Sequence, residues 1–202
     1  MIRINKGQEP NEWLRYRLTP GVEYAAAPEL RRALLVEQGY ICAYCMKRIS
    51  DDKSRIEHIK CRERYPEHKL DYNNMIICCS GETGTEFHCD RKKENSDISF
   101  SPFNTHFIDT ISYETYNGKI KSSDSVWNNE INVILNLNNT RLQLNRKKVI
   151  ESICIILGKK QWTKAQLKSE LSKWQLPDNE HRLKEYCGVV IWYLTKKLKA
   201  QQ

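Results

Sequence analysis

No run of this sequence approaches the ~20 consecutive apolar residues of a membrane helix, so a spanning segment is not expected. The opening stretch, MIRINKGQEPNEWLRYRL, lacks the apolar centre of a secretion signal, which argues against export and for a cytoplasmic chain. No internal repeat is visible, leaving one ordinary domain or a small module with a second helical lobe as the ways to fold 202 residues. Acidic charge is in short supply. Against 33 Lys and Arg there are 25 Asp and Glu, a net charge of +8. That balance suits solubility, and it suits a polyanionic partner, because each phosphate contact releases condensed counterions.

Cysteine, by contrast, is plentiful, with 8 residues. A secreted chain would use them for disulfides, but nothing here points to secretion. Cys42, Cys45, Cys78, Cys79 and Cys89 fall in one window, with Cys61 between them. Such clustering favours metal binding.

Around that window the pattern is α+β. Pro28 opens an expected helix through ELRRALLVEQ, with Leu30, Leu34 and Leu35 on one face and Gly39 as its stop. DKSRIEHIK and NMIICC are short β-prone runs flanking a polar loop, and CDRKKEN reads as a helix start with its lysines exposed. Ile108, Ile111 and Tyr113 lie in a β-prone stretch before Asn117-Gly118, a hairpin signal. From Trp127 onward the pattern turns helical. Asn139 or Thr140 caps one expected helix, stopped at Gly158, and Thr163 caps a second, ended by Pro177. Asp178 caps a third, along which Leu183, Tyr186, Val190, Leu194 and Leu198 recur at helical spacing. The expected segments are 1–39 (lead and first helix), 40–98 (cysteine-rich core), 99–125 (hairpin connection) and 126–202 (helical lobe).

Cys42-x-x-Cys45 supplies two thiolates for a tetrahedral zinc, and Cys79 with Cys89 is the natural second pair across the turning loop SGETGTEFH. Cys78 is an alternative to Cys79, and His88 to Cys89. A closed four-thiolate site is structural, having no position left for water. Glu57-His58 pairs a hard-cation ligand with a base suited to neutral pH, the two needs of hydrolytic phosphodiester cleavage. Strand alternation would send these neighbours to opposite faces unless the strand end twists or bulges. Asp90 can supply a second oxygen. Arg55, Lys60, Arg62, Arg64, Arg91, Lys92 and Lys93 flank the pair as phosphate contacts, and Tyr65 or Tyr72 can stack on a base.

Taken together, "CAYC … IEHIKCR … YNNMIICC … HCDRKK" resembles the HNH endonucleases of the ββα-metal superfamily. The resemblance implies His58 as general base, Glu57 as ligand of a catalytic Mg²⁺ or Mn²⁺, and Asn74 as the residue that orients His58 through backbone contacts. The last position falls on Asp90, where the family usually has His or Asn, with Asn95 or His88 as alternatives. Cys61 stands where proline is commoner. The wider chain resembles the HNH effectors of retron and Septu-type anti-phage systems (PtuB-like). That implies an ABC/SMC-like ATPase partner, docked on the helical C-terminal half, and in a retron a reverse transcriptase with its multicopy single-stranded DNA. Two other classes remain beside the nuclease. One is a zinc-stabilised nucleic-acid-binding or adaptor module in which Glu57-His58 is idle. The other is a thiol redox protein without zinc.

Overall fold

The computed structural model describes residues 1–159 and 161–201, and the chain folds as α+β. Helix α1 (Asn11–Arg17) precedes α2 (Pro28–Glu37), which buries Leu30, Leu34 and Leu35. Burying each of these leucines contributes about 1.5–3 kcal/mol. Strands β1 (Ser54–His58) and β2 (Met75–Cys79) pair antiparallel in the register Ser54↔Cys79 to His58↔Met75. A small hairpin, β3 (Glu82–Thr83) with β4 (Glu86–Phe87), leads into the one-turn helix α3 (Asp90–Lys93). Then follow α4 (Thr105–Thr110), the antiparallel pair β5 (Ile111–Tyr113) and β6 (Ile120–Ser122), and α5 (Ser125–Asn129). The helices α6 (Thr140–Gly158), α7 (Lys164–Gln175) and α8 (Cys187–Lys199) complete the chain.

Capping accounts for the helices that the sequence pattern anticipates. The Asn139 side chain accepts from Leu142 N at the start of α6, and Thr163 forms a reciprocal capping box with Gln166 at the start of α7. The Asn117-Gly118 turn joins β5 to β6. Gly118 adopts φ +75°, and a Cβ there would sit 2.3 Å from the Gln143 carbonyl oxygen, so only glycine lets this turn pack on α6.

Three expectations are corrected. Ile108 belongs to α4, whose N-terminus is capped by the Asn104 side chain accepting from His106 N at 2.8 Å. Asp178 does not open a helix. Its Oδ1 accepts from both Glu180 N and Arg182 N, closing a turn, and the chain then runs back over the cysteine segment. There Leu183 N donates to Gly39 O and Tyr186 N to Met46 O, so α8 begins only at Cys187. The polar lead also contains α1, too short for periodicity to reveal but anchored by the fully buried Trp13.

One apolar cluster runs from Met1 and Trp13 through Ile76, Ile77, Phe107 and Leu142 to Val189. A smaller one, Ile153, Leu167, Val190 and Leu194, joins α6, α7 and α8, so those helices direct much of their apolar face toward one another. The asparagine-rich stretch is ordered because its side chains stand in for backbone partners. Asn138 both accepts from Ile120 N and donates to Ile120 O, extending β6. No helix among the described residues is long and apolar enough to cross a membrane.

Candidate active site and thiol cluster

The Cys42–Cys45 turn is held against β2 by backbone and side-chain bonds. Ala43 N donates to Ile77 O, and the Gln38 amide both donates to Ile77 O and accepts from Ile77 N at 2.8 Å. From the other side the β3–β4 hairpin closes on itself, with His88 N donating to Gly81 O. Cys89 N donates to Leu135 O in the C-terminal half. The ligand atoms of Cys42, Cys45, Cys79 and Cys89 thereby gather within 4.8 Å of one another, all buried. The Cys42–Cys89 sulfurs are 3.8 Å apart and the Cys45–Cys79 sulfurs 3.7 Å. A tetrahedral zinc with Zn–S bonds of about 2.3 Å spaces its sulfurs by about 3.8 Å, so the donor set fits that ion. Burial pushes the Cys42 thiol up, but hydrogen bonds from Cys45, Cys78, Cys79 and Cys89 prevail and hold it well below the usual thiol range.

Cys78 is buried beside these thiols but outside the set of four. His88 lies next to the set rather than in it, with Nδ1 3.1 Å from the Cys89 sulfur. Cys61 is buried away from the set, where it lines a separate cleft.

That cleft runs along β1 from Arg55 to His58. Its volume is about 490 Å³, and Arg55, Glu57, His58, Arg62, Asp90 and Arg91 line it. Glu57 and His58 are consecutive at the end of β1, yet both are buried and both line the cleft. The Glu57 Oε1 accepts from Tyr44 OH at 3.2 Å and pairs with Lys93 Nζ at 2.9 Å. Burial, reinforced by the hydrogen-bonded carboxyl of Asp90, outweighs the Lys93 charge and raises the Glu57 pKa to about 8. Glu57 and Asp90 both line the cleft, and two carboxyls so placed suit a hard divalent cation.

His58 is turned so that Nε2 lies 3.1 Å from the Lys69 carbonyl oxygen. A carbonyl only accepts, so Nε2 carries the proton and Nδ1 keeps its lone pair. The Tyr24 ring packs edge-on against the imidazole, with centroids 4.7 Å apart. Burial lowers the His58 pKa to about 4, the Lys69 carbonyl opposing and the Arg62 and Lys93 charges assisting, so the ring is neutral at neutral pH. Asn74 holds the loop after β1. Its Oδ1 accepts from Lys60 N at 2.8 Å, and its Nδ2 donates to Lys60 O and His68 O. The last of these bonds fixes the residue before Lys69, whose carbonyl orients His58.

The expected phosphate contacts divide into two groups. Arg55, Arg62 and Arg91 line the cleft, whereas Lys60, Arg64 and Lys92 lie outside its lining. Arg62 stacks over the Tyr24 ring at 4.5 Å, and Arg91 over Phe87 at 4.3 Å while pairing with Glu82. Lys60 Nζ sits 3.1 Å from His68 Nε2, and Arg64 is held by Asp97 at 2.6 Å. Lys93 corrects the expectation of exposed lysines. It is fully buried, because three positions after Asp90 on a single turn it shares the cleft-side face, where it bonds Glu57 and the His58 carbonyl oxygen. Tyr72 is no stacking platform, being buried with its hydroxyl donating to Glu37. Tyr65 is half-buried, with its hydroxyl 3.4 Å from Asp97. Asn95 reaches the rim of the cleft and donates to Glu63.

Tyr44 and Tyr24 are the site residues that sequence reasoning missed, and Lys93, expected as a phosphate contact, is instead the buried partner of Glu57. Only Tyr44 carried a signal, an aromatic hydroxyl between two clustered cysteines.

No family model matches the chain. A curated relative, named "Retron Vc95 putative HNH endonuclease", from Vibrio cholerae serotype O1 biovar El Tor, is 32% identical over 137 residues, covering 63% of this chain. The matched part spans 66% of that protein's length, just under two thirds. The chain is thus similar to a protein named as an HNH endonuclease over about two thirds of its own length.

Proposed function

We propose that the chain is a metal-dependent HNH endonuclease, with β1, β2 and α3 as a ββα-metal core anchored by zinc at Cys42, Cys45, Cys79 and Cys89. The observation that carries this reading is the His58 tautomer. A neutral, buried imidazole with Nε2 committed to a backbone carbonyl keeps Nδ1 free to accept a proton, beside a carboxylate pair. A binding module has no use for that arrangement. The core is assigned to 40–98, with 1–39 as lead, 99–125 as connection and 126–202 as helical lobe.

In this mechanism Arg62 and Arg91 position the substrate phosphate, with Arg55 beside them. His58 Nδ1 accepts the proton of a water whose oxygen attacks phosphorus, and the bond from phosphorus to the leaving sugar oxygen breaks. Glu57 and Asp90 would hold Mg²⁺ or Mn²⁺, which supplies Lewis-acid stabilisation of charge developing on the phosphate and the leaving oxygen. Asn74 acts as a positioning residue, holding the Lys60 and His68 backbone so that the imidazole keeps its angle. Tyr44 and Lys93 fix the Glu57 carboxylate, and Lys93 ties it to the His58 backbone. The thiol cluster takes no part in the chemistry.

The relative's name carries a retron, and on that ground we assign this chain to an anti-phage system as its toxic cytoplasmic effector. Its partners there would be an ABC/SMC-like ATPase, a reverse transcriptase and multicopy single-stranded DNA. A toxic nuclease needs restraint, so the isolated chain is expected to cut weakly. The test is end-mapping of total DNA and RNA from cells carrying the whole operon, wild type against His58→Ala, after phage challenge. New ends that vanish in the variant support the nuclease and name its substrate. Protection that persists with no His58-dependent ends in either pool overturns it.

A further inference from the structure

The carboxylate pair of the cleft is already matched by two cations of the protein itself. Lys93 Nζ pairs with Glu57 at 2.9 Å, and Arg55 Nε pairs with Asp90 Oδ2 at 2.9 Å. The two cations differ in freedom. Lys93 has no exposed surface and also donates to the His58 carbonyl oxygen, so it cannot leave without breaking the end of β1. Arg55 has 52% of its side chain exposed, stands on the solvent side of β1 and reaches Asp90 across the cleft mouth.

Resting on the nuclease reading, we infer that Arg55 is a built-in competitor of the divalent cation, occupying Asp90 in the free protein and moving to a phosphate when nucleic acid fills the cleft. A planar guanidinium binds a phosphate bidentately and at least as well as it binds a single carboxylate oxygen. The incoming phosphate therefore draws Arg55 away and frees Asp90 Oδ2 for the cation. Arg55 becomes both a substrate contact and a positioning residue for metal binding. By linkage, nucleic acid tightens the cation, and the cation tightens nucleic acid by the same factor. The free protein is held in a low-affinity state for its metal until substrate arrives.

Among the other arginines lining the cleft, Arg62 and Arg91 have partners of their own, Tyr24 and Glu82, and neither pairs with Glu57 or Asp90. They serve as controls, because they carry the same charge without occupying the ligand oxygen.

The experiment is calorimetric titration of Mn²⁺ into the zinc-loaded full chain carrying His58→Ala, which prevents cutting, with and without a short DNA duplex. Adding Arg55→Ala should tighten Mn²⁺ binding by about two- to fivefold in the absence of DNA, the worth of a partly exposed ion pair. It should also reduce the factor by which DNA tightens Mn²⁺. Arg55→Gln should behave alike, and zinc content checks that each variant is folded. Adding Arg62→Ala instead should leave Mn²⁺ affinity in the DNA-free protein unchanged. An Arg55→Ala affinity no tighter than the parent's, or an equal gain in Arg62→Ala, overturns the inference while leaving the nuclease reading in place. Mn²⁺ binding that Asp90→Asn does not weaken overturns both.

Discussion

Two polar clusters of opposite design flank the β1–β2 ladder. At the Ser54–Cys79 rung lies a sealed set of soft donors, with Cys42, Cys45, Cys79 and Cys89 all buried. On the cleft side of β1, where Glu57 and His58 meet Asp90, the residue after Cys89, hard oxygen and nitrogen donors line an open cleft of about 490 Å³. The sealed cluster satisfies a tetrahedral ion completely, so it can only stabilise. The open cluster leaves its carboxylates and imidazole facing solvent space, so it can act. Tyr44, lying between two of the cysteines and donating to Glu57, links the thiol set to the cleft.

Breaking the sealed cluster should have the largest effect. Cys89→Ser is expected to release zinc and unfold the core, since structural zinc in small domains contributes on the order of 10 kcal/mol or more. Metal analysis with circular dichroism checks this, and Cys78→Ser should keep its zinc. Retained zinc in Cys89→Ser would mean that the donor set is wrong. At the open cluster, His58→Ala should lower cleavage by about 10²–10⁴-fold while zinc content and melting temperature hold, as expected for loss of a general base. Cleavage that persists in the variant would show the imidazole to be mere packing.

Above about pH 8, where Glu57 is ionised, Lys93→Met should cost about 3–5 kcal/mol of stability in denaturant unfolding, because it strands the buried carboxylate. Combining it with Glu57→Gln should recover most of that loss, and failure to recover would dissolve the pair as a unit. The open cluster should also respond to pH in its cation affinity. The Glu57 proton, held up to a pKa of about 8, has to leave before a cation binds. Mn²⁺ affinity should therefore be full above about pH 8 and fall by up to about tenfold for each unit below it. A flat profile between pH 6 and 8 in calorimetry would remove Glu57 from the ligand set. The smallest effect belongs to the link between the clusters. Tyr44→Phe should weaken Mn²⁺ binding by roughly 0.5–1.5 kcal/mol, one hydrogen bond, without loss of zinc.

Local chemistry made the donors legible. CxxC spacing, an acid beside a histidine, and asparagine before an apolar strand are short-range patterns whose meaning survives any fold. Caps at Asn139 and Thr163 were legible for the same reason, since a capping bond spans only three residues. Asp178 shows the limit. Its side chain can open a helix or close a turn, and the choice fell to Gly39 O and Met46 O, far away in sequence, which claim Leu183 N and Tyr186 N. Lys93 shows it again, because a lysine in a basic run carries no sign that a buried carboxylate awaits it.

The residue types and their spacing were therefore enough to point to the chemistry proposed for this chain: four thiols for a soft ion, and a histidine with two carboxylates for a hard one. Folding settled which sulfurs meet, which arginines face the cleft, and which ring nitrogen of His58 keeps its lone pair. Each of those depends on a contact between residues distant in sequence, and no local pattern records such contacts. The Lys69 carbonyl that sets the His58 tautomer is eleven residues away, and the Lys93 ammonium that holds Glu57 is thirty-six, the second brought near only by the closing of the thiol cluster.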